Sequence, residues 1–281
     1  MMAMILRRAS RRLYGDFLMP SRLGLYRALL ERALAAGYEA ISVERLWALI
    51  GTDSLDPAQR YLVLRNDIDT GPSTAREMWQ IERALGIVGS YFFRLSSLDL
   101  PLMHEMGRAG NEPSYHYEEL ATVAKQHHLR TRADVLRHLP EAQELFARNV
   151  TRLRSVSGQP IRVVAAHGDF VNRKLGILST AILDDPTFRT QVGIELEVYD
   201  EACMSRVTSR HADQTSPPYW TPVDPLAAIQ AREPVVYVLV HPRSWRVERG
   251  LNARDDAVRL WQGLRYSLPT SRAQPAPNPP R

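Results

Sequence analysis

Cysteine is nearly absent from this 281-residue chain: Cys203 stands alone. That excludes an intramolecular disulfide and any cysteine-rich zinc site, so a bound metal would be held by histidine and carboxylate. Long apolar runs are also missing, and no segment reaches the roughly 20 residues that a membrane-spanning helix needs. The N-terminus is basic from Met1 to Arg12, but the Leu13-Tyr14-Gly15-Asp16-Phe17-Leu18 that follows is too short and too polar for the core of a signal peptide. A cytoplasmic protein is expected, with peripheral membrane association through the basic segment as the only membrane contact. The formal net charge is +5, yet no basic stripe interleaved with aromatics is present, so nucleic acid is not an expected partner. No internal repeat is found.

What the chain does have is a core's worth of apolar residues, 44% of the total, in short runs alternating with helical patterns. Leu23, Leu25, Leu29, Leu30 and Leu34 recur at helical spacing before Gly37. Short strands are expected at Tyr38 to Val43, Tyr61 to Leu64, Val88 to Phe93, Ile161 to Ala166, Val192 to Val198 and Val235 to Val240. Helices are expected at about 73–85, 99–109 and 141–155. Near-continuous β-branched runs between helices indicate a parallel sheet covered on both faces, either a barrel or a doubly wound fold. We divide the chain into a basic lead-in (1–20), one α/β domain (21–268) and a proline-rich tail expected to be disordered (269–281).

The richest chemistry sits in Asn66-Asp67-Ile68-Asp69, directly behind an apolar strand. Residues two apart on an extended chain share a face, so Asp67 and Asp69 lie close and repel unless a cation or a shared proton relieves them. Capping of the helix near Ser73 by these aspartates is the structural alternative. Other apolar strands end in histidine: His167 after Val163-Val164-Ala165-Ala166, His241 after Val238-Leu239-Val240, and His116 after a less regular segment. In a parallel barrel the carboxyl ends of all strands open to one mouth, where catalytic groups collect. Trp220 and Trp245 fall in expected loops around the last strand, as core or as an aromatic rim for a sugar ring.

In these motifs the chain resembles the polysaccharide deacetylases of the NodB-like superfamily (carbohydrate esterase family 4-like), in the branch whose first motif reads Arg-His-Asp-Val-Asp. Here that motif stands as Arg65-Asn66-Asp67-Ile68-Asp69. The branch's Gly-His-Glu-Ile-Gly-x-His-Tyr-Glu is similar to Gly110-Asn111-Glu112-Pro113-Ser114-Tyr115-His116-Tyr117-Glu118. Its His-Gly motif is similar to Ala166-His167-Gly168-Asp169, and its Leu-Thr-His-Pro-x-x-Trp to Leu239-Val240-His241-Pro242-Arg243-Ser244-Trp245.

The resemblance implies a distorted (β/α)7 barrel with an N-terminal helical lead-in and a divalent metal, usually zinc. It implies Asp67 as general base toward the attacking water, Asp69 and His116 as metal ligands, and His241 as the acid that protonates the leaving amine. Arg65, His167 and Trp245 would line the substrate pocket. The family's His-x-x-x-His ends here in Leu120, so a third ligand would come from Glu118, Glu119, His167 or water; Asn66 and Asn111 stand where the motifs have histidine. Two functions follow from the resemblance. One is a metal-dependent deacetylase acting on an N-acetylated sugar of a glycan precursor. The other is a catalytically degenerate barrel that binds a glycan or a protein partner.

Overall fold

The computed structural model describes residues 9–268. The expected disordered tail, 269–281, and the start of the basic lead-in lie outside the described residues. Among the described residues nine strands form one sheet: β1 (Tyr38–Ile41), β2 (Arg60–Ile68), β3 (Ser90–Phe93), β4 (Glu112–Tyr117), β5 (Val163–Ala166), β6 (Leu196–Glu197), β7 (Ser209–Asp213), β8 (Trp220–Thr221) and β9 (Val235–Val240). Eight of them run parallel, seven in the order β6-β5-β4-β3-β2-β9-β7 with β1 beside β2 off that path, and β8 adds an antiparallel edge to β7.

The central strand β2 is nine residues long, which lets it take two partners on one edge. Its first half pairs with β1 (Tyr38↔Arg60) and its second half with β3 (Arg65↔Ser90). Helices cover the sheet's outer face, so β2 is buried on both sides and reads as an unbroken apolar run.

Alternation along the strands divides the core in two. Leu62, Leu64, Val236, Val238 and Val240 face outward and pack under helices Leu23–Ala35 and Pro72–Ala84. Tyr61, Val63, Phe92, Val163, Ala165, Leu196, Val235 and Tyr237 face inward and form one cluster. That cluster joins β6 to β9, which are separated by β5, β4, β3 and β2 in the ladder. At about 4.8 Å per strand, a flat sheet would hold the two more than 20 Å apart, so the sheet must curl. The result is the barrel-type α/β arrangement expected from the sequence, in the form of a half-barrel: among the described residues no hydrogen-bonded pairing of β6 with β7 closes the ring.

Some element boundaries differ from the sequence-based expectation. Of the apolar stretch 192–198 only Leu196–Glu197 joins the ladder, because helix Pro186–Gln191 ends there and Gly193 turns the chain with φ +66°. Helices Glu119–Gln126 and Arg249–Ser267 and the β7–β8 pair were not foreseen. Trp220, expected in a loop, lies in β8 and is core.

Candidate functional site

The inward phase that fills the half-barrel continues past the strand ends. On β2 the inward residues Tyr61 and Val63 are followed in register by Arg65, Asp67 and Asp69. On β4 the inward position is His116. On β5 and β9, Ala165 and Tyr237 are followed in phase by His167 and His241. Asp67, Asp69, His116, His167 and His241 therefore meet at one mouth, as expected.

At the centre, Asp69 Oδ1 lies 3.3 Å from His116 Nε2 and 3.5 Å from His167 Nε2. The oxygen is buried and, among the described residues, has no aligned hydrogen-bond donor. The ligand atoms of Asp69, His116 and His167 all lie within 4.8 Å of one another. Each imidazole is oriented from behind. His116 Nδ1 donates to the Ala165 carbonyl at 2.9 Å, which leaves Nε2 as the free lone pair. His167 Nδ1 sits 3.2 Å from Glu118 Oε2, close but not aligned as a hydrogen bond. Arg94 holds Glu118 with two contacts of 2.8 Å. Burial alone would raise the Glu118 pKa, but the His167 and Arg94 contacts outweigh it and hold the carboxyl at about 2. Asp69 is likewise held well below its ordinary value, because His167 and His116 together overcome its desolvation.

Tetrahedral ligands at about 2.1 Å from a zinc ion are separated by roughly 3.4 Å, close to the 3.3 and 3.5 Å measured here. A buried carboxylate oxygen facing two imidazole Nε2 atoms is thus, with both imidazoles neutral, a donor set that fits a divalent cation of the zinc class. Among the four candidates for third ligand, His167 is the side chain that geometry supplies. Glu118 is taken by Arg94, Glu119 accepts from Tyr115 and Asn149, and Leu120 is core.

Asp67 sits beside the centre, its Oδ2 3.4 Å from His116 Nε2. Both of its oxygens are held by Arg65, Nε to Oδ1 and Nη2 to Oδ2 at 2.7 Å each. Burial would raise Asp67, but the Arg65 charge prevails and keeps it ionised below its usual pKa. Breaking such a buried pair by removing one partner costs about 3–5 kcal/mol. On the other side, His241 Nδ1 donates to Asp213 Oδ1 at 2.7 Å, and Asp213 Oδ2 accepts from the His241 backbone N–H and from Trp245 Nε1, each at 2.8 Å. Desolvation opposes the imidazolium, but the Asp213 charge, helped by Asp69 and Asp67, pushes the His241 pKa up to about 9.

Two residues expected to line the pocket are placed elsewhere. Arg65 is 1% exposed, and its guanidinium serves Asp67 and lies 4.8 Å from the Tyr199 ring. Trp245 is also 1% exposed, packed against Tyr26 and Trp220 in the outer core. Both act beneath the site. Asp213 was missed, because Ser209-Arg210-His211-Ala212-Asp213 has no apolar run to mark it as a strand; its alternating buried His211 and Asp213 were the available signal. The aspartates do not cap the following helix: Gly71, with φ +72°, is the N-cap of Pro72–Ala84, and Glu248 accepts from Ser73 and Thr74 instead.

The departures from the motifs also fall outside the centre. Asn66 faces outward beside Glu82 and Ser90, and Asn111 accepts from the Gly89 N–H. The mouth opens into a cleft of about 1100 Å³, whose floor includes Asp69, His167 and His241 and whose walls include Lys125, Arg173 and Trp261. No described helix is long and apolar enough to cross a membrane.

These features define an α/β half-barrel with an Asp-His-His centre flanked by a clamped carboxylate and a charged imidazole. No family model matches the chain, and no curated protein matches it. Among solved structures it is similar to the crystal structure of a wild-type CE4 family pseudoenzyme from Bacillus anthracis, with 12% identity and a TM-score of 0.39 over 74% of this chain and 63% of that one. It is similar also to a mutant of that pseudoenzyme with restored enzymatic activity, with 13% identity and a TM-score of 0.39 over 74% of this chain and 65% of that one. The chain thus spans less than two thirds of either structure. A likeness at this level carries no functional assignment.

Proposed function

We propose that this chain is a metal-dependent amide hydrolase of the polysaccharide-deacetylase type, removing an N-acyl group from an amino sugar of a glycan precursor. The observation that carries the reading is the buried Asp69 Oδ1, without an aligned hydrogen-bond donor among the described residues, facing His116 Nε2 and His167 Nε2. Asp69, His116 and His167 would hold the metal. When bound, it would polarise the amide carbonyl and make water acidic enough to attack near neutral pH.

The protein's own groups supply the rest. Asp67, fixed by Arg65 on the β2 side, is placed to accept the proton of the attacking water. His241, fixed by Asp213, carries a proton at neutral pH because its pKa is about 9, and can deliver it to the leaving nitrogen. Two titratable groups pushed apart by their surroundings, one toward base and one toward acid, are what amide hydrolysis requires. Residues 21–268 would act as one unit in this chemistry. The lone cysteine, buried Cys203, suits a reducing compartment, so we assign the reaction to the cytoplasm.

The test is acetate release from N-acetylated amino-sugar oligomers by the zinc-loaded protein. Asp67→Asn should lower the rate by roughly two orders of magnitude or more. Zinc binding with no turnover on any N-acyl sugar would replace this reading with that of a glycan-binding or partner-binding barrel.

A further inference from the structure

A second cluster of metal-ligating side chains lies away from the mouth, where three helices meet. His127 follows the last residue of helix Glu119–Gln126, His138 joins helix Arg132–Arg137 to helix Leu139–Ser157, and Glu141 sits in the first turn of the latter. His138 and Glu141 are three apart and share one helical face. His127 is about 13 Å along its helix from Glu118 at the cleft, so the cluster is separate from the Asp69 centre.

We propose that His127, His138 and Glu141 form a second binding site for a borderline divalent cation such as zinc. One ligand atom from each lies within 4.8 Å of the others. His127 Nε2 is 2.8 Å from Glu141 Oε1, and the two imidazole rings are 4.9 Å apart. His138 Nδ1 donates to the Asp134 carbonyl at 2.9 Å, which fixes the tautomer and leaves Nε2 unprotonated for a metal, as outer hydrogen bonds do in metal sites. Thr131 and Arg137 engage the Asp134 carboxylate, which keeps it from competing.

A tetrahedral zinc asks for ligand separations of roughly 3.4 Å, so the His127–Glu141 pair, at 2.8 Å, would open slightly and the widest pair would close by at most about 1.4 Å. Side-chain rotation at an exposed site supplies that movement: His127 and Glu141 are 43% and 44% exposed. The carbonyls that end helix Glu119–Gln126 add a negative pole favouring a cation. Two imidazoles and one carboxylate select zinc, nickel or copper over magnesium or calcium, which prefer oxygen ligands. A bound ion would staple the 127–138 excursion to the start of helix Leu139–Ser157 and leave one coordination position to water.

The experiment uses the full chain, stripped by chelator and equilibrated with zinc alone, with bound metal measured by elemental analysis. Asp69→Ala, which disables the cleft centre, should still bind one equivalent. That equivalent should weaken at least roughly tenfold when His138→Ala or Glu141→Gln is added. In the unsubstituted protein, zinc should shift the ring resonances of His127 and His138. The proposal is overturned if Asp69→Ala takes up no zinc while those resonances stay still, or if the remaining equivalent binds as tightly after His127 and His138 are both replaced.

Discussion

Asp213 governs the charge of His241. His241 titrates at about 9 instead of the ordinary 6.5, with Asp213 as the largest influence acting against desolvation. A rise of that size corresponds to about 3 kcal/mol. His241 is 28% exposed, so solvent screening brings the figure nearer to 2 kcal/mol. A histidine whose folded pKa is raised contributes stability that is fully present below pH 6.5 and lost as the pH climbs through 9.

Asp213→Asn is close in shape and keeps an oxygen for Trp245 Nε1, but its amide nitrogen would face His241 Nδ1 and demand a lone pair there. That arrangement favours the neutral imidazole. Asp67 and Asp69 still favour the charged form, so the pKa should fall by roughly 1–2 units and not the whole way. The assay is a ring-resonance titration of His241 in metal-free protein, with denaturant unfolding alongside. The variant should lose stability relative to the wild type below pH 6.5 and converge with it above 9. A His241 pKa left unchanged by Asp213→Asn would refute the reasoning.

Further expectations concern the groups around the site. Glu82 is buried behind β2 and β3, accepts from Tyr26 and Tyr91, and is pushed by burial from 4.5 to about 7. A carboxyl with a raised folded pKa contributes stability present below 4.5 and lost as the pH rises through 7, up to about 3 kcal/mol here. Glu82→Gln should remove that slope and so gain on the wild type as the pH rises across this window; unfolding curves for the two proteins that stay parallel on both sides would contradict it. Glu118→Gln should weaken zinc at the cleft by about 10–100-fold through the loss of the anion behind His167, read by competition with a chelator, and unchanged affinity would remove Glu118 from the account. Leu120→Ala should cost about 2–5 kcal/mol of stability as a core truncation while leaving the metal stoichiometry at the cleft intact.

The half-barrel was legible where strands are buried on both faces. The runs Leu62-Val63-Leu64 and Val235 to Val240 declare themselves because neither face needs polar residues, and the site followed from what stands at their ends. β7 was illegible for the opposite reason. Its side chains are polar, and the burial of His211 and Asp213 comes from tertiary partners, Val223 O for one and His241 for the other. Arg65 was assigned to the pocket although its spacing two before Asp67 already put both on one inward face; its depth in the half-barrel decided the outcome, and depth is not written in the local pattern. His167 was assigned to substrate and named only as one of several third ligands, because the curl of the sheet brings β5 to β2 and no sequence spacing records that closure. The cleft wall on helix Arg249–Ser267, exposed and rich in arginine, offered no apolar stripe wide enough to announce a packed element.

The most direct test of the central claim is the zinc content of the cleft centre. Zinc loading of the protein should be compared in a His138→Ala background with and without Asp69→Ala. One tightly held equivalent is expected in the first and its loss in the second; no bound zinc in the first, or the same equivalent in both, would contradict a metal centre built on Asp69, His116 and His167.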